Sequence, residues 1–187
     1  MEKIEAIRKF KKYLDSYGIA YKESCDNGGR MLTMSYAADN APNEAVEACI
    51  WFFDDDIAEA RCYYTALGAK LCEESEHRGE LLRLLNYINA RTFLPCASPD
   101  GLYEPHMLYT PRFYLTEDDH FDITMTTIVN YDFWETTPVE TNDYLTKYCP
   151  ELMNQLAFPI FGVLLGKITT EEAITHIKRT LLSEKEG

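Results

Sequence analysis

The spacing of hydrophobic residues predicts a short amphipathic helix in the middle of the chain. Leu81, Leu84, Leu85 and Ile88 recur at i, i+3, i+4 and i+7, so they share one face of a helix from Glu80 to Arg91. A helix with one apolar stripe buries that stripe against another element, and the flanking segments have the composition of strands. The pattern therefore predicts a helix that lies across a sheet.

Two asparagines, Asn86 and Asn89, lie beside that apolar stripe. Asparagine disfavours helix interiors unless its amide finds a hydrogen-bonding use. We expect both amides to hold nearby backbone or loop groups and not to bind a ligand.

Segments rich in β-branched and aromatic residues lie on both sides of the central helix. Turn-forming residues such as Asp26-Asn27-Gly28-Gly29 and Asp54-Asp55-Asp56 separate neighbouring segments. This arrangement predicts an antiparallel meander before the helix and a hairpin after it. The predicted strands are Tyr21 to Cys25, Met31 to Ala37, Val46 to Phe53, Ile57 to Tyr64, Arg112 to Leu115 and Phe121 to Val129.

Helical periodicity and capping residues predict further helices at both ends of the chain. The first covers residues 2 to 17 and ends at Gly18. Later helices start after Thr137 and after Thr169, each of which precedes a glutamate three positions on. Pro150 should break or kink the earlier one. A second helical piece from Glu151 to Leu165 should end at Gly166. The predicted fold class is α+β, an antiparallel sheet covered by helices in the order helix, β meander, helix, β hairpin, C-terminal helices.

Length and charge exclude several classes of partner. With 187 residues the chain fits one domain, and its formal net charge of -13 would repel both a phosphate backbone and an anionic membrane surface. No apolar run is long enough to span a bilayer. We therefore expect neither nucleic acid nor membrane as a partner, and steering by charge favours a basic polypeptide.

The cysteines indicate a reducing compartment. Six of them are spread without a C-x-x-C pair, and the chain has no signal-peptide pattern or N-x-Ser/Thr sequon. We expect reduced thiols and a cytoplasmic location. These cysteines are Cys25, Cys49, Cys62, Cys72, Cys96 and Cys149.

No residue pattern in the chain predicts catalysis, a cofactor or a metal. Gly162 to Lys167 has too few residues between its glycines for a phosphate loop, and Ile168 follows the lysine. The acidic runs 54 to 56 and 117 to 122 lack the alternate spacing of a calcium loop, so solvated turns are favoured. Cys149 and His120 could meet in space, but no local motif of a cysteine nucleophile accompanies them. We expect a protein that is not an enzyme.

Three aromatic side chains are the candidate binding residues. Tyr131, Phe133 and Trp134 lie close to a predicted helix start, where aromatic groups can anchor a partner polypeptide. Core packing beneath the third helix is the alternative use of the same side chains.

The order of elements, together with one short motif, resembles the YbjN family. The motif is Leu81-Leu-Arg-Leu-Leu-Asn86-Tyr-Ile-Asn89-Ala, followed by the hairpin from Phe113 to Val129, and the resemblance covers residues 1 to 165 of a single domain. That family is described as bacterial sensory-transduction regulators and shares a fold with the small acidic chaperones of type III secretion. The chain departs from it in an insertion at 93 to 108 and an extra C-terminal helix at 170 to 184.

The resemblance implies an α+β homodimer that acts through protein contacts and carries no catalytic residue. Our first hypothesis is a chaperone-like or regulatory module that binds another polypeptide. The second is a small-ligand protein or enzyme with its site under a flap at 93 to 108, whose polar groups would be Tyr103, His106 and Tyr109.

Overall fold

The computed structural model describes residues 1–26, 29–91, 109–116 and 120–182. Six strands form one sheet in which every neighbouring pair is antiparallel. The strands are β1 (Tyr21–Asp26), β2 (Gly29–Ala37), β3 (Ala45–Phe52), β4 (Ile57–Tyr64), β5 (Arg112–Leu115) and β6 (Ile123–Asn130). Their order across the sheet is β1-β2-β3-β4-β6-β5.

Helices precede the sheet, interrupt it and follow it, so the predicted α+β class and element order are confirmed. Seven α-helices lie in the described residues, together with a π-helical segment, Tyr144–Tyr148, between the fifth and the sixth. The helices are α1 (Lys3–Ser16), α2 (Ala66–Glu74), α3 (Arg78–Arg91), α4 (Tyr131–Thr136), α5 (Pro138–Asp143), α6 (Cys149–Leu164) and α7 (Thr170–Thr180).

The hydrophobic core lies between the helices and one face of the sheet. Strand β4 shows why, because alternate residues Ala58, Ala60 and Cys62 are small and buried and leave room for helix α6 to approach. At the end of that strand the Tyr64 hydroxyl donates to the Met153 carbonyl at 2.8 Å, which fixes α6 over β4. The period of two in burial thus decides which face the helices cover.

Two glycines end helices in the way that the sequence predicts. Gly18 has φ +65 and Gly166 has φ +64, the left-handed conformation that glycine adopts without a Cβ penalty. At the end of α1, Gly18 N–H donates to the Asp15 carbonyl and Ile19 N–H to the Leu14 carbonyl, the Schellman pattern. The capping box of Thr169 and Glu172 at the start of α7 is also confirmed.

The sequence predicts a break or a kink at Pro150, and the structure has no break there but a change of helix type. Proline lacks the N–H that would bond the carbonyl four residues earlier. A π-helical turn comes directly before it, in which Cys149 N–H donates to the Tyr144 carbonyl, and Pro150 falls in the first turn of α6. The helix start after Thr137 is correct, but its hydroxyl donates to the Phe133 carbonyl of the preceding helix and does not cap α5.

The central helix buries the face that its periodicity predicts. Leu81, Leu84, Leu85 and Ile88 are all buried, while Asn86 is exposed. No helix in the described part of the chain is long and apolar enough to cross a membrane. The predicted insertion at 93 to 108 lies outside the described residues, and the extra C-terminal helix is present as α7.

Asn89 fastens α3 to the sheet. Its Nδ2 donates to the Phe113 carbonyl at 2.8 Å, and Phe113 N–H donates to its Oδ1 at 2.7 Å. The prediction that this amide holds backbone is confirmed for Asn89. For Asn86, whose side chain is exposed, it stays a prediction, because the loop that follows α3 lies outside the described residues.

Asn89→Ala is expected to destabilise the protein by about 1 to 3 kcal/mol, because it leaves a half-buried backbone N–H and C=O of Phe113 without partners. Asn86→Ala on the same helix is the matched control and should change the free energy of unfolding by less than about 0.5 kcal/mol. Urea denaturation of both variants measures the difference. Equal midpoints would show that the paired amide contributes nothing.

Candidate functional site

The structure places two of the three predicted anchor residues in the core. Tyr131 and Trp134, on α4, are buried, and each has a polar partner inside the protein. Tyr131 donates its hydroxyl to the Phe53 carbonyl at 2.9 Å, and the Trp134 indole N–H donates to Asn142 Oδ1 at 2.8 Å. They cannot contact a partner from these positions, so the prediction of Tyr131 and Trp134 as surface anchors is wrong.

Tyr131 and Trp134 are buried because α4 packs directly against the hydrophobic core between α1 and the sheet. The Trp134 ring lies 5.4 Å from that of Phe10 on α1 and 6.0 Å from that of Phe52 on β3. Asn130 is the N-cap of helix α4, and its side chain accepts from the N–H groups of residues 132 and 133. A one-turn helix so close to the sheet turns its first and fourth residues inward.

Phe133 is the one predicted anchor that stays exposed. Its side chain is 40% exposed, and its ring packs edge-on against that of Tyr109 at 5.6 Å. The Tyr109 hydroxyl lies 2.9 Å from Thr141 Oγ1. Tyr109 therefore joins α4 to α5, and the other two groups of the alternative flap site, Tyr103 and His106, lie outside the described residues.

The strongest candidate surface is the other side of the sheet, which we call the open face. It is formed by the alternate strand residues that do not face the helices, and most of them are half-buried or exposed. Ile128, on β6 opposite Glu59 of β4, is 51% exposed. The central members are Met31, Thr33, Glu47, Cys49, Trp51, Glu59, Arg61, Tyr63, Tyr114, Thr126 and Ile128.

An aromatic and charged cluster occupies the centre of the open face. The Arg61 guanidinium lies 4.6 Å from the centre of the Trp51 ring, a cation–π arrangement. Its Nε donates to Glu59 Oε1 at 2.8 Å, and Thr126 Oγ1 donates to the same oxygen at 3.1 Å. The hydrogen bond to Glu59 raises the pKa of Arg61 despite opposing desolvation. The contacts hold Trp51 and Arg61, two residue types that are enriched at protein interfaces, in a preformed arrangement.

Charge on the open face differs from charge on the molecule as a whole. Lys22, Arg61 and Arg112 lie on this side of the sheet against Glu47 and Glu59, so the face is nearly balanced. The chain as a whole carries a formal charge of -13. The open face therefore lacks the excess of acidic groups that the chain as a whole carries.

The thiols of Cys49, on the open face, and Cys62, in the core, are poor candidates for nucleophiles. Burial raises the pKa of the Cys49 thiol to about 12, so the thiolate is scarce at neutral pH. The pKa of the Cys62 thiol is raised well above its ordinary value. The larger cause is a hydrogen bond with Cys149 and the second is burial. Cys149 lies in the core while His120 is exposed, so the two do not form a catalytic pair.

No disulfide joins the described cysteines. Cys25 is exposed and Cys49, Cys62, Cys72 and Cys149 are buried, with no disulfide among them, and Cys96 lies outside the described residues. Within the described ranges no group of three or more His, Cys, Asp or Glu residues is placed to hold a metal ion.

A cleft of about 440 Å³ lies where α3 meets the turn between α6 and α7. Its polar groups are largely bonded to one another. Arg83 pairs with Glu171 at 2.6 Å, and Thr170 donates to Glu80 Oε2 at 2.6 Å. Glu172 accepts from the Thr169 N–H in the capping box. The cleft is also lined by His77 and Lys167, and its bonded groups hold the start of α7 against α3.

Sequence reasoning missed the open-face cluster although one signal for it was present. In β4, Ile57, Glu59, Arg61 and Tyr63 alternate with small residues, which indicates that the two faces of the strand have different environments. The contact between Trp51 and Arg61 depends on the register in which Cys49 lies opposite Arg61, and a single sequence does not give that register.

Comparison with models of known protein families gives no match, and no curated protein matches the chain. The class of the protein therefore rests on its architecture. It is an α+β protein with a six-stranded antiparallel sheet, whose helices in the described residues cover one face.

Proposed function

We propose that the protein is a non-enzymatic interaction module that binds another polypeptide on the open face of its sheet. The observation that carries the proposal is the preformed Trp51–Arg61–Glu59 cluster beside the exposed side chain of Ile128. Tryptophan, tyrosine and arginine side chains are the ones that contribute most to protein interfaces.

The chemistry of the partner follows from apolarity and charge. Trp51, Tyr63, Tyr114 and Ile128 present apolar surface to an apolar segment of the partner. The formal net charge of -13 accelerates the approach of a basic protein and slows that of an acidic one. The proposed partner is therefore a polypeptide with an apolar segment flanked by lysine or arginine.

The resemblance to the YbjN family belongs to the same proposal. What supports it is the element order and the fit of the Leu81 to Ala90 motif to a helix that covers the sheet. With this resemblance we propose a chaperone-like or regulatory role and a cytoplasmic location. The absence of disulfides among the described cysteines is consistent with such a location.

Trp51→Ala is expected to weaken capture of the partner at least tenfold, because it removes the ring on which Arg61 stacks. The experiment is affinity purification from the native host with tagged wild-type protein, Trp51→Ala and Phe133→Ala in parallel. Phe133→Ala is the matched control, since it removes another partly exposed aromatic ring that lies on α4. Circular dichroism verifies that both variants fold.

A polypeptide that all three proteins capture equally would contradict the proposal. Loss of capture with Phe133→Ala alone would transfer the binding surface to α4. For a polypeptide that depends on Trp51, raising the salt concentration should slow association more than dissociation, because steering acts on the encounter.

A further inference from the structure

The two edges of the sheet differ in how their backbone groups are satisfied. At the β5 edge, the Asn89 side chain both donates to the Phe113 carbonyl and accepts from the Phe113 N–H, at 2.8 and 2.7 Å. These bonds reproduce the pair that a neighbouring strand would make with one residue. The amide therefore closes this edge to an additional strand.

The edge formed by β1 has no such closure. Strand β1 pairs with β2 on one side, and no described residue hydrogen-bonds to the backbone on its other side. Residues 22 to 25 are exposed. Six residues is an ordinary strand length, so an extended segment can pair along the whole of β1.

We propose that the segment that pairs there is β1 of a second copy of this chain, antiparallel across a two-fold axis. An antiparallel strand that pairs with its own copy across such an axis places one residue opposite itself. Near the middle of β1 that residue is either Glu23 or Ser24. Glu23 opposite itself would bring like charges together, whereas Ser24 opposite itself brings together two hydroxyls that can hydrogen-bond.

The surroundings of Glu23 support the register centred on Ser24. Glu23 already binds Lys11 at 2.8 Å and approaches Arg30 at 3.7 Å, so its charge is balanced within its own copy. In the Ser24 register it faces the uncharged Cys25 of the second copy. The two six-stranded sheets then continue as one, with the helices of both copies on the same side and the two open faces adjacent.

The extent of this contact sets its strength. One pair of six-residue strands buries less than the roughly 800 Å² per partner of a standard interface. The dimer is therefore expected to dissociate on dilution, with half of the protein monomeric at a concentration on the order of micromolar.

Cross-linking at the axis tests the register directly. Residues opposite each other in antiparallel strands have Cα atoms about 4.5 to 5.5 Å apart, within the range that a disulfide spans. Ser24→Cys in a Cys25→Ser background should form a disulfide-linked dimer of twice 21.6 kDa with oxidised glutathione, which takes up the two electrons and two protons of the thiols. Cys25→Ser alone gives the background from the other cysteines.

Lys22→Cys in the same background is the matched control. Its thiol is two residues from the axis, so the two copies of residue 22 are four residues apart along the strands, about 13 Å. It should cross-link no more than the background. Equal cross-linking at positions 22 and 24, or none at position 24, would overturn the proposed register.

The association itself is tested by light scattering over a dilution series. Ser24→Lys places two like charges opposite each other and should remain at 21.6 kDa at tens of micromolar, where wild type and Ser24→Thr dimerise. A wild-type mass of 21.6 kDa throughout that range would overturn the proposal. Since residue 24 is exposed, all three proteins should have closely similar urea midpoints when measured well below micromolar concentration, where each is monomeric.

This inference is independent of the partner on the open face. Trp51→Ala should still dimerise. Monomeric Ser24→Lys should still capture a Trp51-dependent partner, although avidity from the second open face is lost. Failure of one experiment therefore leaves the other interpretable.

Discussion

Replacing Trp134 with alanine is expected to lower the free energy of unfolding by about 3 to 5 kcal/mol, the usual range for removing a buried aromatic side chain. Trp134 is 2% exposed and packs against Phe10 and Phe52, so no neighbouring side chain can fill the space of an indole without leaving its own contacts. The change also leaves Asn142 Oδ1 without its indole donor. Urea denaturation followed by circular dichroism measures the loss.

The control for Trp134→Ala is its neighbour Phe133, which is 40% exposed. Phe133→Ala removes a ring from the same short helix but opens no enclosed cavity, so a loss below about 1 kcal/mol is expected. If both variants unfolded at the wild-type urea concentration, Trp134 would not be a core residue. Partner capture by a destabilised Trp134→Ala protein would carry no information about a binding surface, which is why Trp51 is the residue to change for that purpose.

Periodicity is sufficient to predict the elements that have one buried face and one more exposed face. Strand β4 was predicted with the observed bounds, because its alternation reflects burial against α6 on one face and partial exposure on the other. The buried stripe of α3 was predicted for the same reason, with a period of 3.6.

Helices α2 and α4 were not predicted, α2 although most of its residues favour helix and α4 because its aromatic residues favour strands. Helix α2 contains Gly68, which a propensity argument counts against a helix. A Cβ at that position would lie 2.6 Å from the Tyr64 Cβ, so close packing against the end of β4 requires the glycine. Helix α4 is rich in aromatic residues that favour strands, and its helix signal is the N-cap Asn130.

The candidate site was missed for a reason that concerns tertiary structure. Aromatic residues next to a helix start can face either inward or outward, and sequence spacing over a single turn does not distinguish the two. Trp134 faces inward because of its contacts with Phe10, Phe52 and Asn142, which lie on three other elements. The open-face cluster likewise joins β3, β4 and β6, so its members come together only after the strands have paired.

Leu85→Ala is expected to lower the free energy of unfolding by about 2 to 5 kcal/mol, because the truncation leaves a cavity between α3 and the rest of the core. Leu85 is 2% exposed, and α3 packs on β5, α6 and α7. A collapse of α3 toward one of these elements would pull it away from the others, so the cavity should persist. The urea midpoint, with an unchanged dependence of unfolding free energy on denaturant, measures the effect.

Leu82 on the same helix provides the matched control for Leu85. It has the same side chain and is 42% exposed, so Leu82→Ala makes the same chemical change without a cavity and should alter the free energy of unfolding by less than about 1 kcal/mol. Arg83→Ala should also have a small effect, because the ion pair of Arg83 with Glu171 is solvent-exposed. Equal losses for Leu82 and Leu85 would mean that α3 is held by its helix propensity and by Asn89, and that the apolar stripe does not dock the helix on the core.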